Sequence, residues 1–398
     1  MLKGKTIILG VTGSIAAYKA ANIASMLVKQ HADLTVIMTK NALNFINPIV
    51  FETLTGNKCL IDTFDRNFQY SVEHVSLAKK ASAFVVAPAS ADIIAKMAYG
   101  IADDMLTTTI LACNCTKIVA PAMNTNMYLN PITLENIQKL ENHGFKFITP
   151  ASGMLACKDV GIGKLPSEEE IVERILYEVA LKKKFEGKKI LITAGPTIEA
   201  IDPVRFISNH STGKMGFALA KMASFMGANV TLVSGKVNLK TPYGVERIDI
   251  ESAKDMYESV VSRFEEYDII IKAAAVADYT PAHYSDEKIK KKDSDSALAL
   301  VRTKDILKYL GEHKKEGQFI CGFSMETENM LENSKEKLLK KNADMIVANS
   351  IKQEGAGFAG DTNIVTIISK DEVVELPILS KEETALEILY NIEKHLAK

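Results

Sequence analysis

Short apolar runs, cut by glycine or proline and alternating with amphipathic stretches, make up most of this 398-residue chain. Lys5–Lys19 sets the pattern. The apolar run Ile7–Leu9 predicts a strand, Gly10 and Gly13 permit a tight turn, and Ser14 opens a helix where its hydroxyl can cap and an anion can bind. Further buried strands are expected at Leu34–Thr39, Ala83–Ala87 and Cys115–Ala120, with helices at Ser71–Ala78 and after Ile101–Thr107. Asn142–Gly144 breaks a helix, and Ser167 with its three following glutamates starts one running to about Lys184. Between them, Pro150–Lys164 is glycine-rich, lacks periodicity and reads as a mobile loop.

The pattern restarts at Lys189–Thr197 with another strand and glycine turn. Asp202–Gly216 reads as a polar entry to a helix, and Tyr267–Tyr279 as a strong apolar strand ending in small residues and Asp278. Thr303–Ile306 begins a helix, Ile320–Ser324 and Ala343–Asn349 are strands, and Gly355–Gly360 is a flexible loop. A last strand and helix close the chain. Strands alternating with helices predict an α/β fold with parallel sheets. The chain reads as two doubly wound Rossmann-like domains, 1–186 and 187–398, divided where Lys182–Gly187 ends a helix.

Composition narrows the class. With 47% apolar and 24% charged residues this is an ordinary globular protein, and a net charge of −1 argues against nucleic acid as a partner. No apolar run reaches the roughly 18 residues that a membrane span needs. The five cysteines (Cys59, Cys113, Cys115, Cys157, Cys321) form no Cys-x-x-Cys, and the histidines show no ligand spacing. A reducing, cytoplasmic location is expected, and no metal site can be read.

Candidate chemistry gathers at strand ends. Gly13 and Ser14, Ser90, and Asn124 within Pro121–Tyr128 all follow predicted strands, where open α/β sheets bind ligands. Gly-x-x-Gly-Ser is not the dinucleotide fingerprint, and Thr39 ends the second strand where an NAD site wants an acid. That favours a mononucleotide such as FMN over an NAD-linked oxidoreductase. Each feature also has a plain structural reading: a turn without ligand at Gly13, core methionines around Asn124, a packed or solvated His74, an idle thiol at Cys157. In the second half, Gly213-Lys214 fails as a Walker A loop, because Met215 stands where Ser or Thr is needed. The run Glu287–Lys292 reads as a solvated cationic face, or as a partner for phosphates beside a nucleotide.

The order of motifs carries a resemblance. Gly13-Ser-Ile-Ala-Ala-Tyr-Lys19, Glu73-His-Val75, Ala87-Pro-Ala-Ser-Ala-Asp92, Pro121-Ala-Met-Asn124 and Ala151-Ser-Gly-x-x-Ala-Cys157 resemble the flavin-dependent phosphopantothenoylcysteine decarboxylases. The family's flap usually has glycine after the cysteine; here Lys158 stands there. The resemblance implies a flavodoxin-like domain binding FMN through Gly13, Ser14, Thr39 and Ser90. It implies His74 as base or proton-positioning group, Asn124 as carboxylate holder and Cys157 as proton donor to the product. A non-catalytic flavin-binding regulatory protein is the alternative on the same fold.

Ala194-Gly-Pro-Thr197, Asp202–Gly216, Ala274-Ala-Val-Ala-Asp-Tyr279 and Glu287-Lys-Ile-Lys-Lys291 resemble phosphopantothenate–cysteine ligases. The resemblance implies a nucleotide-binding ligase domain using CTP and Mg²⁺. Asn209 and Arg205 would orient an acyl cytidylate, and Lys288 would stabilise charge in its formation. Ala273, Ala274, Asp278, Thr303, Lys304, Asp305, Ile306, Phe323, Lys337 and Lys341 would hold the nucleotide. Both halves together resemble the bifunctional coenzyme A biosynthesis family, which implies small-molecule substrates and a homo-oligomer built from trimeric decarboxylase and dimeric ligase contacts, up to a dodecamer.

Overall fold

The computed structural model describes residues 1–64, 73–154, 160–290, 297–326, 329–350 and 360–397. It divides into two compact units, Met1–Leu181 and Lys182–Lys398. The division falls a few residues before the expected 186/187 boundary. The reason is local: Lys183 Nζ donates to the Phe225 carbonyl (2.8 Å) and Phe185 N–H to the Met226 carbonyl (2.9 Å), so this strap already packs with the second unit. For the same reason the helix expected to reach Lys184 stops at Val179.

The first unit holds a five-stranded sheet of β1 (Thr6–Val11), β2 (Asp33–Met38), β3 (Ala83–Ala89), β4 (Thr116–Pro121) and β5 (Lys146–Phe147). All neighbours are parallel, in the order β2-β1-β3-β4-β5. Chain order therefore reverses between β1 and β3, the switch point where such sheets form a crevice. Every residue of β3 is buried, as a strand covered on both faces requires. Helices start where the sequence supplies caps: Ser90 for Ala91–Tyr99, and reciprocal Ser167/Glu170 bonds for Glu168–Val179.

One sequence expectation is corrected here. Pro150–Lys164 is not simply a loop, since β6 (Ala151–Met154) and β7 (Val160–Lys164) pair as an antiparallel hairpin. Its strands carry three glycines and little apolar alternation, so the period-two signal of a strand is missing. Residues 155–159 between them lie outside the described residues.

The second unit is built on eight strands. They are β8 (Lys189–Ala194), β11 (Asn229–Ser234), β12 (Val245–Asp249), β13 (Ile269–Lys272), β16 (Phe319–Glu326), β17 (Met345–Ser350), β19 (Val365–Ser369) and β20 (Val373–Glu375). Small hairpins pair β9 (Ile198–Ala200) with β10 (Phe206–Ser208), β14 (Tyr279–Pro281) with β15 (Leu300–Arg302), and β18 (Thr362–Asn363) with β21 (Leu379–Ser380). The sheet order is β12-β11-β8-β13-β16-β17-β19-β20, parallel through β17 and antiparallel for the last two. Ile269, Ile270 and Ile271 of the central β13 are fully buried, each worth roughly 1.5–3 kcal/mol of apolar burial. Both units are thus α/β with parallel sheets as the strand patterns predicted, except for the antiparallel pairings of β19 and β20 at the end of the second sheet.

Candidate functional site

In the first unit the strand ends are tied to one another by side-chain hydroxyls. Thr12 Oγ1 donates to the Pro88 carbonyl (2.8 Å) and accepts from the Ser90 N–H (3.0 Å), linking the end of β1 to that of β3. Ser14 Oγ donates to the Ala122 carbonyl (3.3 Å) beyond β4. The Thr39 N–H after β2 donates to Val11 (3.0 Å). Gly13, Ser14, Thr39, Ser90 and Asn124 therefore stand along one sheet edge, across the switch point.

Each of these oxygens also organises local backbone. Ser14 accepts from Ala16 N–H, Thr39 from Ala42 N–H, Ser90 from Ile93 N–H (3.3 Å each), and Asn124 Oδ1 from Asn126 N–H (2.8 Å). A Cβ on Gly13 would lie 2.7 Å from Asn41 Cβ, so only glycine lets the turns after β1 and β2 approach this closely. The cradle is lined by hydroxyls and helix starts and has no acid at the end of β2. That donor set fits a mononucleotide such as FMN, whose phosphate needs N–H and O–H donors.

The β6–β7 hairpin seats against the Asn124 turn. Met123 N–H donates to the Gly163 carbonyl (3.0 Å). Gly163 has φ +135°, and a Cβ there would fall 2.3 Å from the Met123 carbonyl oxygen. Thr125 Oγ1 beside Gly161 is buried and, among the described residues, has no hydrogen-bond partner. Cys157 and Lys158 belong to residues 155–159, outside the described set. His74 is half-buried on the helix Glu73–Lys80 and, among the described residues, makes no hydrogen bond to the strand ends.

In the second unit two clefts adjoin at Phe323, which lines both. The first, about 670 Å³, lies between the start of the helix Lys214–Phe225 and the residues Ala273, Ala274 and Ala275 that follow β13. The second, about 1400 Å³, brings together Asp278, Thr303, Lys304, Asp305, Ile306, Lys337 and Lys341 from three separate segments. Lys341 pairs with Asp305 (2.7 Å), and Lys337 donates to the Phe323 carbonyl (3.0 Å). Asp305 also caps the helix Ile306–His313; burial opposes its ionisation, but the bonds from Lys341 and Lys308 hold its pKa below the usual value.

The backbone between the clefts is fixed by buried threonines. Ala274 N–H donates to Thr193 Oγ1 (3.1 Å) and Ala277 N–H to Thr197 Oγ1 (3.0 Å), while Thr303 Oγ1 donates to the Ala277 carbonyl (2.7 Å). Thr193 and Thr197 are fully buried, and neither was read as a site residue from the sequence, although Thr197 ends the Ala194–Thr197 motif; nor were Lys272, Asn349 and Lys381 in the cleft walls. The charge of Lys272 after three isoleucines was their clearest sequence signal. Asn349 is 9% exposed, and among the described residues its Oδ1 has no hydrogen-bond partner.

Arg205 stands beside the Lys288–Ile289 segment, and Asn209 reaches the first cleft. Arg205 grips the buried Asp202 carboxylate through Nε (3.0 Å) and Nη2 (2.6 Å), and Nη2 also donates to the Ile289 carbonyl (2.7 Å). The Ile289 N–H donates to Asp202 as well (3.2 Å). The Arg205 guanidinium holds the Asp202 carboxyl well below the usual carboxylate range. Lys288, next to this clamp, is exposed. Asn209 Nδ2 donates to the Ala275 carbonyl (2.9 Å) at the first cleft. Among the described residues there is no cluster of three or more His, Cys, Asp or Glu able to hold a metal ion. None of their helices is long and apolar enough to cross a membrane.

Comparison with known proteins covers both units. The flavoprotein family matches residues 1–180, and the DNA/pantothenate metabolism flavoprotein C-terminal domain matches residues 185–396. The chain is 48% identical over 396 residues to the coenzyme A biosynthesis bifunctional protein CoaBC of Bacillus subtilis (strain 168), covering 98% of this chain and 97% of that protein. It is 44% identical over 391 residues to the protein of the same name from Borreliella burgdorferi, covering 98% and 99%. A crystal structure of the C-terminal domain of such a protein is 47% identical and covers 54% of this chain and 99% of that one, with a TM-score of 0.47.

Proposed function

This chain belongs to the family of bifunctional coenzyme A biosynthesis proteins, and from that membership we propose the two reactions and the residues that serve them. It is an enzyme with a ligase half and a flavoprotein decarboxylase half. The second unit joins cysteine to 4′-phosphopantothenate. The first converts the product, 4′-phospho-N-pantothenoylcysteine, to 4′-phosphopantetheine and CO₂.

In the ligase, a substrate carboxylate oxygen attacks the α-phosphorus of CTP and pyrophosphate leaves. The cysteine amine then attacks the acyl carbon of the resulting cytidylate, releasing CMP and a proton. The second cleft suits the nucleotide because its cations face an anion, and charge developing on phosphate oxygens is stabilised by fixed cations. Lys288 meets the departing phosphates. Asn209 orients the acyl group, and Arg205 holds the Lys288 segment through Ile289. Mg²⁺ enters with the nucleotide's phosphates, its usual mode of binding.

In the decarboxylase, FMN supplies a reversible two-electron acceptor for the substrate thiol when bound at the strand ends. Asn124 holds the carboxylate until it departs, His74 positions the proton removed, and Cys157 returns a proton to the product carbon. The observation that carries this reading is the convergence of Gly13, Ser14, Thr39, Ser90 and Asn124 on one sheet edge.

The test is a visible spectrum of the purified protein, then addition of 4′-phosphopantothenate, cysteine, CTP and Mg²⁺. The expected result is bound flavin absorption, pyrophosphate release and then CO₂ release. A protein that cannot be reconstituted with FMN and releases neither product overturns the proposal. Light scattering tests the proposed trimeric and dimeric contacts.

A further inference from the structure

Lys272 ends the central strand β13, between Thr193 on β8 and Gly322 on β16. The three residues before it are isoleucines with no exposure at all. A lysine there places a half-buried charge at the end of the sheet's central strand, and burying a charge is costly unless it is paired. Its side chain lines the second cleft. Among the described residues, its ammonium has no hydrogen-bond or ion-pair partner.

The neighbours explain why none is available. On the helix Met330–Lys340, Lys337 faces it as a like charge, with Lys341 just beyond. The nearest carboxylates are Asp305, already paired with Lys341, and the exposed Asp278 on the following loop. Lys304 and Lys340 line the same cleft and add further positive charge. Burial, then Lys337, pushes the Lys272 ammonium down to about 8, against the pull of Asp305 and Asp278. A cation held this way gains most from an incoming anion.

We propose that Lys272 is a further substrate-binding residue of the ligase, its ammonium meeting the phosphate oxygens of the nucleotide. The inference rests on the nucleotide reading of this cleft. Lys272 is unfavourable in the empty protein and becomes favourable when the phosphates supply the missing counter-charge. Binding then draws a proton onto Lys272 wherever part of the free population is neutral.

The sign follows from the two states. The folded value lies below that of the unfolded chain, so the cost to stability is full below pH about 8 and fades as pH rises through the unfolded lysine value. Lys272→Met in the full chain is therefore expected to melt higher than the parent at pH 7 without nucleotide. A lysine serving the core would give the opposite shift.

Calorimetric titration of CTP at pH 8, in HEPES and in Tris, reads the proton directly. The parent protein should take up a fraction of a proton on binding. Lys272→Met should take up none and show a KM for CTP raised about ten-fold or more, with kcat less affected. Lys272→Arg should bind nearly as the parent does, without proton uptake, because its charge does not titrate. Parent-like affinity and proton uptake in Lys272→Met overturn the inference while leaving the CTP reading intact. A parent protein that binds no CTP overturns that reading, and this inference with it.

Discussion

The two units put similar strand-end geometry to different use. In the first, the residues at the sheet edge are small and uncharged, and Ser14, Thr39, Ser90 and Asn124 all spend side-chain oxygens on nearby backbone N–H groups. In the second, the cleft residues are largely charged, and the backbone is held from below by Thr193 and Thr197. A flavin cradle is a shape, set by how closely turns approach. The cleft proposed for a nucleotide is a field, set by where cations gather. Substitutions should therefore separate the two activities, and should do so through different physics.

The largest separation is expected from Gly163→Ala. The new methyl would fall against the Met123 carbonyl, at a φ that L-residues rarely adopt, so the hairpin must leave the Asn124 turn. CO₂ release should fall by about 100-fold, since a displacement of the order of 1 Å costs that much. Pyrophosphate release should stay at the parent rate, and a parallel loss of both would break the comparison.

Arg205→Ala is the counterpart in the second unit, with a smaller effect. It removes the bridge from Asp202 to Ile289, so the Lys288 segment is less well placed. Ligase kcat should drop roughly ten-fold or more, decarboxylation of supplied 4′-phospho-N-pantothenoylcysteine should not change, and Arg205→Lys should rescue only part. The pH dependence carries a sign as well. Asp202 is held below its ordinary range, so its contribution is present above the usual carboxylate value and is lost only in stronger acid. The variant should therefore lose its structure at a higher pH on acidification, followed by circular dichroism.

Ser167→Ala sharpens the comparison from outside both sites. It deletes the reciprocal cap of the helix Glu168–Val179 at about 1 kcal/mol, lowering the first unit's melting temperature by a few degrees. Neither activity should change at temperatures where the protein is folded.

Much of this was legible in the chain. Strand ends, capped helices and the restart at Lys189 are written in periodicity and in Ser, Gly and Pro punctuation, because those forces act within a few residues. The motif order carried the family and the identity of most candidate residues. The β6–β7 hairpin was not legible, because glycine-rich strands leave no alternating pattern. Nor was the task of Arg205, whose partners include a carbonyl 84 residues away. Lys272 was in plain view as the polar end of an apolar strand, yet nothing in the sequence says whether an acid will fold against it. Only the tertiary structure could decide that, because electrostatic compensation depends on distances between segments that the chain order leaves open.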